Sequence, residues 1–258
     1  MLLPGLLLAI LFNTSNILFL RLLCILPSTN PTAPLSRKRG TPTRLLIILG
    51  SGGHTAEMLS LLRDLDPASY THRSYVISAG DDFSARKAAE FEEGLRERAR
   101  QRALLAADRE ANEERWDTYD IAVVPRARKI HQSLLTTPFS ALRCLFACFA
   151  ILRSPNVGPS PSSSPALHTP PQYPDLILSN GPGTGVMVIL ASLLLRFVGF
   201  PRTRPGQMRT IYVESWARVK GLSLSGKILV RMVDRFLVQW AGLNGVGGRG
   251  EFRGVLVH

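Results

Sequence analysis

The chain has 258 residues, 45% of them hydrophobic, and a formal net charge of +12. That apolar fraction can bury a core, which excludes wholesale disorder, and roughly 200 residues suffice for one α/β domain. The basic groups crowd into residues 1–44 and 196–235, beside apolar segments, which favours an anionic membrane surface or a phosphate-bearing ligand over nucleic acid, for which no aromatic-interleaved basic motif is present.

Residues 1–26 are almost entirely apolar, interrupted by Asn13, Thr14, Ser15 and Asn16. A run of this length can cross a bilayer, which takes about 20 residues. No Lys or Arg precedes it, whereas Arg37, Lys38, Arg39 and Arg44 follow it. The positive-inside rule then places everything downstream in the cytosol, with Arg21 snorkelling to the same interface. The expectation is a retained transmembrane anchor; a cleaved signal peptide is the alternative. Residues 27–43, rich in Pro, Thr, Ser and basic groups, read as a linker.

From residue 44 the pattern alternates. Strands are expected at 44–49, 74–79, 121–125, 175–180, 210–215 and 235–240, and helices at 54–65, 137–153, 184–199 and 223–232. The charged stretch 84–115 reads as a solvated helix or flexible loop. Residues 154–174, dense in Pro and Ser, read as a disordered insertion. The two apolar helices, 137–153 and 184–199, are core helices by default, but basic residues at their rims also suit a domain lying on a membrane. Cys24, Cys144 and Cys148 form neither a disulfide framework nor a metal site, and read as buried thiols. Alternating strands and helices with right-handed crossovers give a doubly wound, Rossmann-like parallel sheet, which binds ligands at the C-terminal ends of its strands.

Two glycine-rich loops fall at those ends. After the first strand come Gly50, Ser51, Gly52, Gly53, His54 and Thr55, followed by Glu57. Glycines allow close backbone approach, and a helix N-terminus behind them attracts an anion. The spacing fits neither a P-loop nor a dinucleotide fingerprint. After the fourth strand come Ser179, Asn180, Gly181, Pro182, Gly183, Thr184 and Gly185. Two such loops point to a diphosphate held between helix N-termini; a single functional loop beside a plain turn is the alternative. His54 is a candidate base or phosphate donor. Glu214, at the end of the fifth strand, either accepts hydrogen bonds from a sugar or acts as a base, or pairs structurally with Arg218 or Lys220. Arg126 and Arg128 offer cations at the same edge, or a solvated face.

The runs LLIILGSGGHTAEMLSLL, VVPRAR, SNGPGTGV, IYVES and RFLVQW, in this order and spacing over residues 44–240, resemble the asparagine-linked glycosylation protein fourteen family. Its members are membrane-anchoring subunits of the two-part N-acetylglucosaminyltransferase of dolichol-linked oligosaccharide assembly. The resemblance implies the N-terminal, acceptor-binding half of a GT-B glycosyltransferase, at the endoplasmic reticulum membrane with its domain facing the cytosol. It also implies a separate small cytosolic catalytic subunit carrying the UDP-GlcNAc donor site, and a GlcNAc-diphospho-dolichol acceptor that receives the second GlcNAc. On this view Gly50, Ser51, Gly52, Gly53, Thr55, Asn180, Gly181, Gly183 and Thr184 border the acceptor diphosphate. His54 and Glu214 are then the candidates for deprotonating its 4-hydroxyl. No metal and no cofactor is implied. Residues 241–258 depart from the family pattern, with glycines replacing a Pro- and Lys-rich stretch, and form a tail that is a candidate for docking the partner. The alternatives are a pure membrane scaffold and an independent nucleotide-binding enzyme.

Overall fold

The computed structural model describes residues 2–29, 43–67, 69–105, 118–128, 132–133, 135–153, 173–199 and 206–257. Most of the expected linker and of the insertion 154–174 lies outside the described residues, as do Arg37, Lys38 and Arg39.

The chain opens with helix α1, Leu2–Ile25. Its Leu11, Phe12, Ile17, Leu18, Phe19 and Leu20 are exposed. The side chains of residues 1–6, 8 and 9 are outside the described set, and among the described residues no helix is long and apolar enough to cross a membrane. The expected anchor therefore rests on the sequence.

The domain follows as β1 (Arg44–Ile48), α2 (Gly53–Leu61), β2 (His72–Ser78), α3 (Asp82–Leu105), β3 (Thr118–Val124) and α4 (Thr137–Arg153). It continues with β4 (Leu176–Ser179), α5 (Thr184–Val198), β5 (Arg209–Val213), α6 (Leu224–Leu229), β6 (Arg235–Val238) and β7 (Gly250–Phe252). The seven strands form one sheet in the order β3-β2-β1-β4-β5-β6-β7, and every pair is parallel. This is the doubly wound, Rossmann-like architecture that the sequence predicts. The direction of winding reverses between β1 and β4, so a crevice opens there beyond the strand ends.

Strand β1 is central, and all five of its residues are buried, which explains its continuous apolar run. Leu46 and Ile48 pack with Val76, Ala122, Val124 and α4 and α5 side chains on one face. Leu45 and Ile47 pack with Met58, Leu62, Tyr75 and Ala88 on the other. Helix α5 ends at Gly199 in the left-handed conformation, with φ 70°. Near this end the Arg21 guanidinium of α1 donates to the Phe197 carbonyl, and Arg196 donates back to the Ile25 carbonyl at 3.2 Å. Cations at a helix C-terminus complement its dipole, so this exchange locks α1 against the domain.

Four expectations change. Strand β2 starts at His72, two residues before the expected 74, because His72 and Arg73 are buried against partners distant in sequence. Helix α3 is not wholly solvated: Glu92, Ala88 and Leu95 are buried. The stretch 241–258 is not simply a tail. Its β7 pairs with β6 through Phe236–Gly250, Leu237–Glu251 and Val238–Phe252, so the sheet runs past the expected domain end at 240. Of the thiols, Cys144 and Cys148 are buried as expected, whereas Cys24 is exposed on α1.

Candidate functional site

The two glycine loops meet at the crevice between β1 and β4. A Cβ on Gly181 would stand 3.2 Å from the Gly50 Cα, and one on Gly50 would stand 2.8 Å from the His54 Cβ. Only glycine lets the two backbones approach this closely. Helices α2 and α5 start at Gly52 and Gly183, both with positive φ (64° and 65°) and neither with a side-chain cap. Their first-turn N–H groups are therefore not satisfied by a capping side chain, which is the arrangement that binds anions. Ser51, Gly52, Gly53 and Gly183 are exposed at this rim.

The remaining residues expected to border a diphosphate are turned inward. The Thr55 hydroxyl bonds to the Gly50 carbonyl and, at 2.6 Å, to Ser84 Oγ. Ser84 Oγ in turn donates to Asp81 at 2.8 Å. The Thr184 hydroxyl meets Ser78 Oγ at 2.7 Å, which ties the end of β2 to the start of α5. Asn180 is buried, and its amide donates to the His54 carbonyl at 2.8 Å. These groups brace the loops and set the positions of the open amides. Arg126 likewise donates to the Ala79 carbonyl at 2.9 Å and steadies the neighbouring loop.

The two candidate bases stand in different surroundings. Glu214 is 1% exposed. One of its oxygens accepts from the Ser215 N–H at 3.1 Å, and the other from the Ser223 N–H and hydroxyl at 3.0 and 3.1 Å. Ser223 also caps α6 by accepting from the Gly226 N–H at 2.9 Å. Glu214 thus folds residues 215–223 back onto the end of β5, and neither a hydrogen bond nor an ion pair joins it to His54, Arg218 or Lys220. His54, in the first turn of α2, keeps about a third of its side chain exposed (32%).

The carboxylate that does face His54 is Glu57, one helical turn along, with Oε2 3.6 Å from His54 Nδ1. Ser215 Oγ donates to its Oε1 at 2.9 Å and Asn180 Nδ2 reaches its Oε2 at 3.4 Å. Burial alone raises the carboxyl's pKa; the His54, Ser215 and Asn180 groups outweigh it and hold the acid below its usual 4.5. The sequence displays Glu57 three residues after His54, but its link to Ser215 crosses 158 positions and is visible only in the fold.

The family model for "Oligosaccharide biosynthesis protein Alg14 like" matches residues 45–256. The chain belongs to the Alg14 family. UDP-N-acetylglucosamine transferase subunit alg14 of Aspergillus fumigatus is 41% identical over 219 residues, covering 73% of this chain and 92% of that one. Its Schizosaccharomyces pombe counterpart is 39% identical over 221 residues, covering 86% of this chain and 87% of that one. The human ALG14 transferase subunit is 37% identical over 199 residues, covering 77% of this chain and 76% of that one. Among solved structures, MurG of Acinetobacter baumannii aligns with 77% of this Alg14-family chain and 41% of its own, at 12% identity and TM-score 0.44. The match to the Alg14 family reaches residue 256, so it takes in β7 and not only the six strands foreseen in the sequence.

Proposed function

We propose that this chain is the acceptor-binding subunit of a two-part UDP-GlcNAc-dependent glycosyltransferase. It recruits a small cytosolic subunit that holds the donor, and together they add the second GlcNAc to GlcNAc-diphospho-dolichol on the cytosolic face of the endoplasmic reticulum. The observation that carries this reading is the crevice between β1 and β4, where two uncapped helix N-termini and one half-exposed imidazole converge. The uncapped helix starts at Gly52 and Gly183 suit a diphosphate, and His54 suits the removal of a hydroxyl proton beside it. In the reaction the acceptor O4 attacks C1 of the donor sugar. Its proton passes to His54 Nε2, the O4–C1 bond forms, and the C1–O bond to the β-phosphate breaks to release UDP.

Membrane association is part of the same proposal. The exposed apolar side chains of α1, with Arg21 at its C-terminal end, favour insertion with the domain held close to the bilayer. The names carried by the relatives support the donor sugar and the subunit role.

The test is a transferase assay on membranes containing this chain, with and without its partner, using UDP-GlcNAc and a GlcNAc-diphospho-lipid. Activity only with both chains is expected. Activity from this chain alone overturns the half-site reading. A recruited partner without activity turns the reading towards a scaffold.

A further inference from the structure

We infer that Glu57 is the positioning residue of a His54–Glu57 dyad, holding the imidazole with its Nδ1 inward so that Nε2 faces the acceptor hydroxyl. This inference rests on the transferase reading for its chemistry, but on the geometry alone for the dyad. His54 Nδ1 is buried without a hydrogen-bond partner, and the charged group it faces is the Glu57 carboxylate at 3.6 Å. That separation is an ion-pair distance, beyond a hydrogen bond. The imidazole is anchored through its own backbone, since Asn180 Nδ2 donates to the His54 carbonyl at 2.8 Å.

Glu57 is itself held from two sides. Ser215 Oγ donates to one oxygen and Asn180 Nδ2 to the other. Both donors come from loops that follow other strands of the sheet, so three segments of chain meet on one carboxylate. Glutamine in its place can accept from Asn180 and donate its NH2 to the Ser215 hydroxyl, so it keeps the shape and removes the charge. When O4 of the acceptor loses its proton to Nε2, the Nδ1–H of the resulting imidazolium points at a fixed negative charge. That is the logic of a histidine base oriented by a carboxylate. Glu214 does not fill this role, because its oxygens are occupied by Ser215 and Ser223.

The experiment uses the full chain in detergent with its partner subunit, and two readouts. In the first, E57Q is expected to lower kcat about 100-fold while the acceptor KM stays within about threefold, as for loss of a general base's support. E57D is expected to recover part of that loss. Ser215→Ala, which removes one hold on Glu57 and leaves the charge, is expected to lower kcat roughly fivefold. In the second, 15N shifts of His54, assigned by difference from H54Q, report the tautomer. The neutral wild-type ring is expected to carry its proton on Nδ1, and E57Q to move population to Nε2–H.

A kcat for E57Q within twofold of wild type, or a loss expressed in KM alone, overturns the inference. So does an unchanged tautomer ratio. If E57Q does not fold, judged by melting and partner recruitment, Ser215→Ala decides on the same criteria. A wild-type complex without transferase activity overturns the transferase reading instead, and the tautomer measurement still decides the dyad.

Discussion

The two ends of this sheet both bury polar side chains, but to opposite effect. At the N-terminal ends of the strands, Arg73 makes a bidentate pair with Glu92 at 2.7 and 2.6 Å. Tyr75 donates to the same carboxylate at 2.7 Å. Beside them, on the opposite face of β2, Ser74 and His72 both meet Asp120 Oδ1, at 2.6 and 2.9 Å, and Arg44 donates to Ser74 at 3.0 Å. These groups largely answer one another. At the C-terminal ends His54 Nδ1, Asn180 Oδ1, Ser179 Oγ and Gln239 Oε1 are buried with no hydrogen-bond partner among the described residues. Buried polar groups cost free energy unless paired. The N-terminal end joins buried charges to one another, whereas the C-terminal end sets its unpaired groups beside exposed glycines and two uncapped helix starts. At the closed, N-terminal end Asp120 Oδ2, Tyr173 Oη and Arg209 Nε are also buried without a hydrogen-bond partner among the described residues, so the contrast lies in the buried ion pairs of that end and the exposed, uncapped loops of the open one.

Breaking the closed end should cost stability first. Glu92→Ala takes the carboxylate partner from the fully buried Arg73 charge and is expected to cost about 3–5 kcal/mol. Thermal unfolding of the purified chain reads this directly, and a midpoint close to wild type would remove the distinction between the two ends. At the open end the loss should instead be in activity. H54Q is expected to lower transferase activity at least ~100-fold, about 2.7 kcal/mol of barrier, with little change in melting.

Glu214 sharpens the contrast, because it lies at the open end yet is internally satisfied. E214Q is expected to cost roughly 1–2 kcal/mol of stability through its weakened hold on residues 215–223. Its activity should fall less than that of H54Q; a greater fall, with melting intact, would return Glu214 to the role of base. A smaller effect follows from pH. The folded state holds the Glu57 carboxyl below its ordinary 4.5. Its ionised form therefore adds stability that is fully present above about that pH and is lost as the pH falls through the lowered value. Melting of wild type and E57Q across this range is expected to show a difference that shrinks on acidification. Smallest of all is the edge pair of Arg235 and Glu251, which joins β6 to β7 at 2.5 Å but is partly exposed. E251Q is expected to cost less than about 1 kcal/mol, and partner recruitment by the same variant tests whether this edge takes part in docking.

Much of this loop edge was legible before the fold. The glycines at 50, 52, 53, 181 and 183 reveal themselves because backbone approach and helix starts leave a local mark in sequence. What was misread shares one cause. Thr55 and Thr184 sit among those glycines and look like ligand donors, yet their partners, Ser84 and Ser78, lie 29 and 106 residues away. His72 and Arg73 look too polar to start a strand until Asp120 and Glu92 are brought beside them. The last strand is short and glycine-flanked, so no periodicity announces β7; its pairing with β6 supplies the order.

The sequence by itself determined the alternation of strands and helices, the parallel sheet that follows from it, and the two loops that meet beyond β1 and β4. These are consequences of local periodicity and of the backbone freedom of glycine, both written in neighbouring residues. Only the tertiary structure decided what else holds each carboxylate, and so which of them is left to the histidine. Glu57 and Glu214 are equally acidic in sequence; the loop after β5 brings Ser223 to Glu214 and Ser215 to Glu57. A side chain's role is set by the partners that folding brings to it, and those partners are long-range.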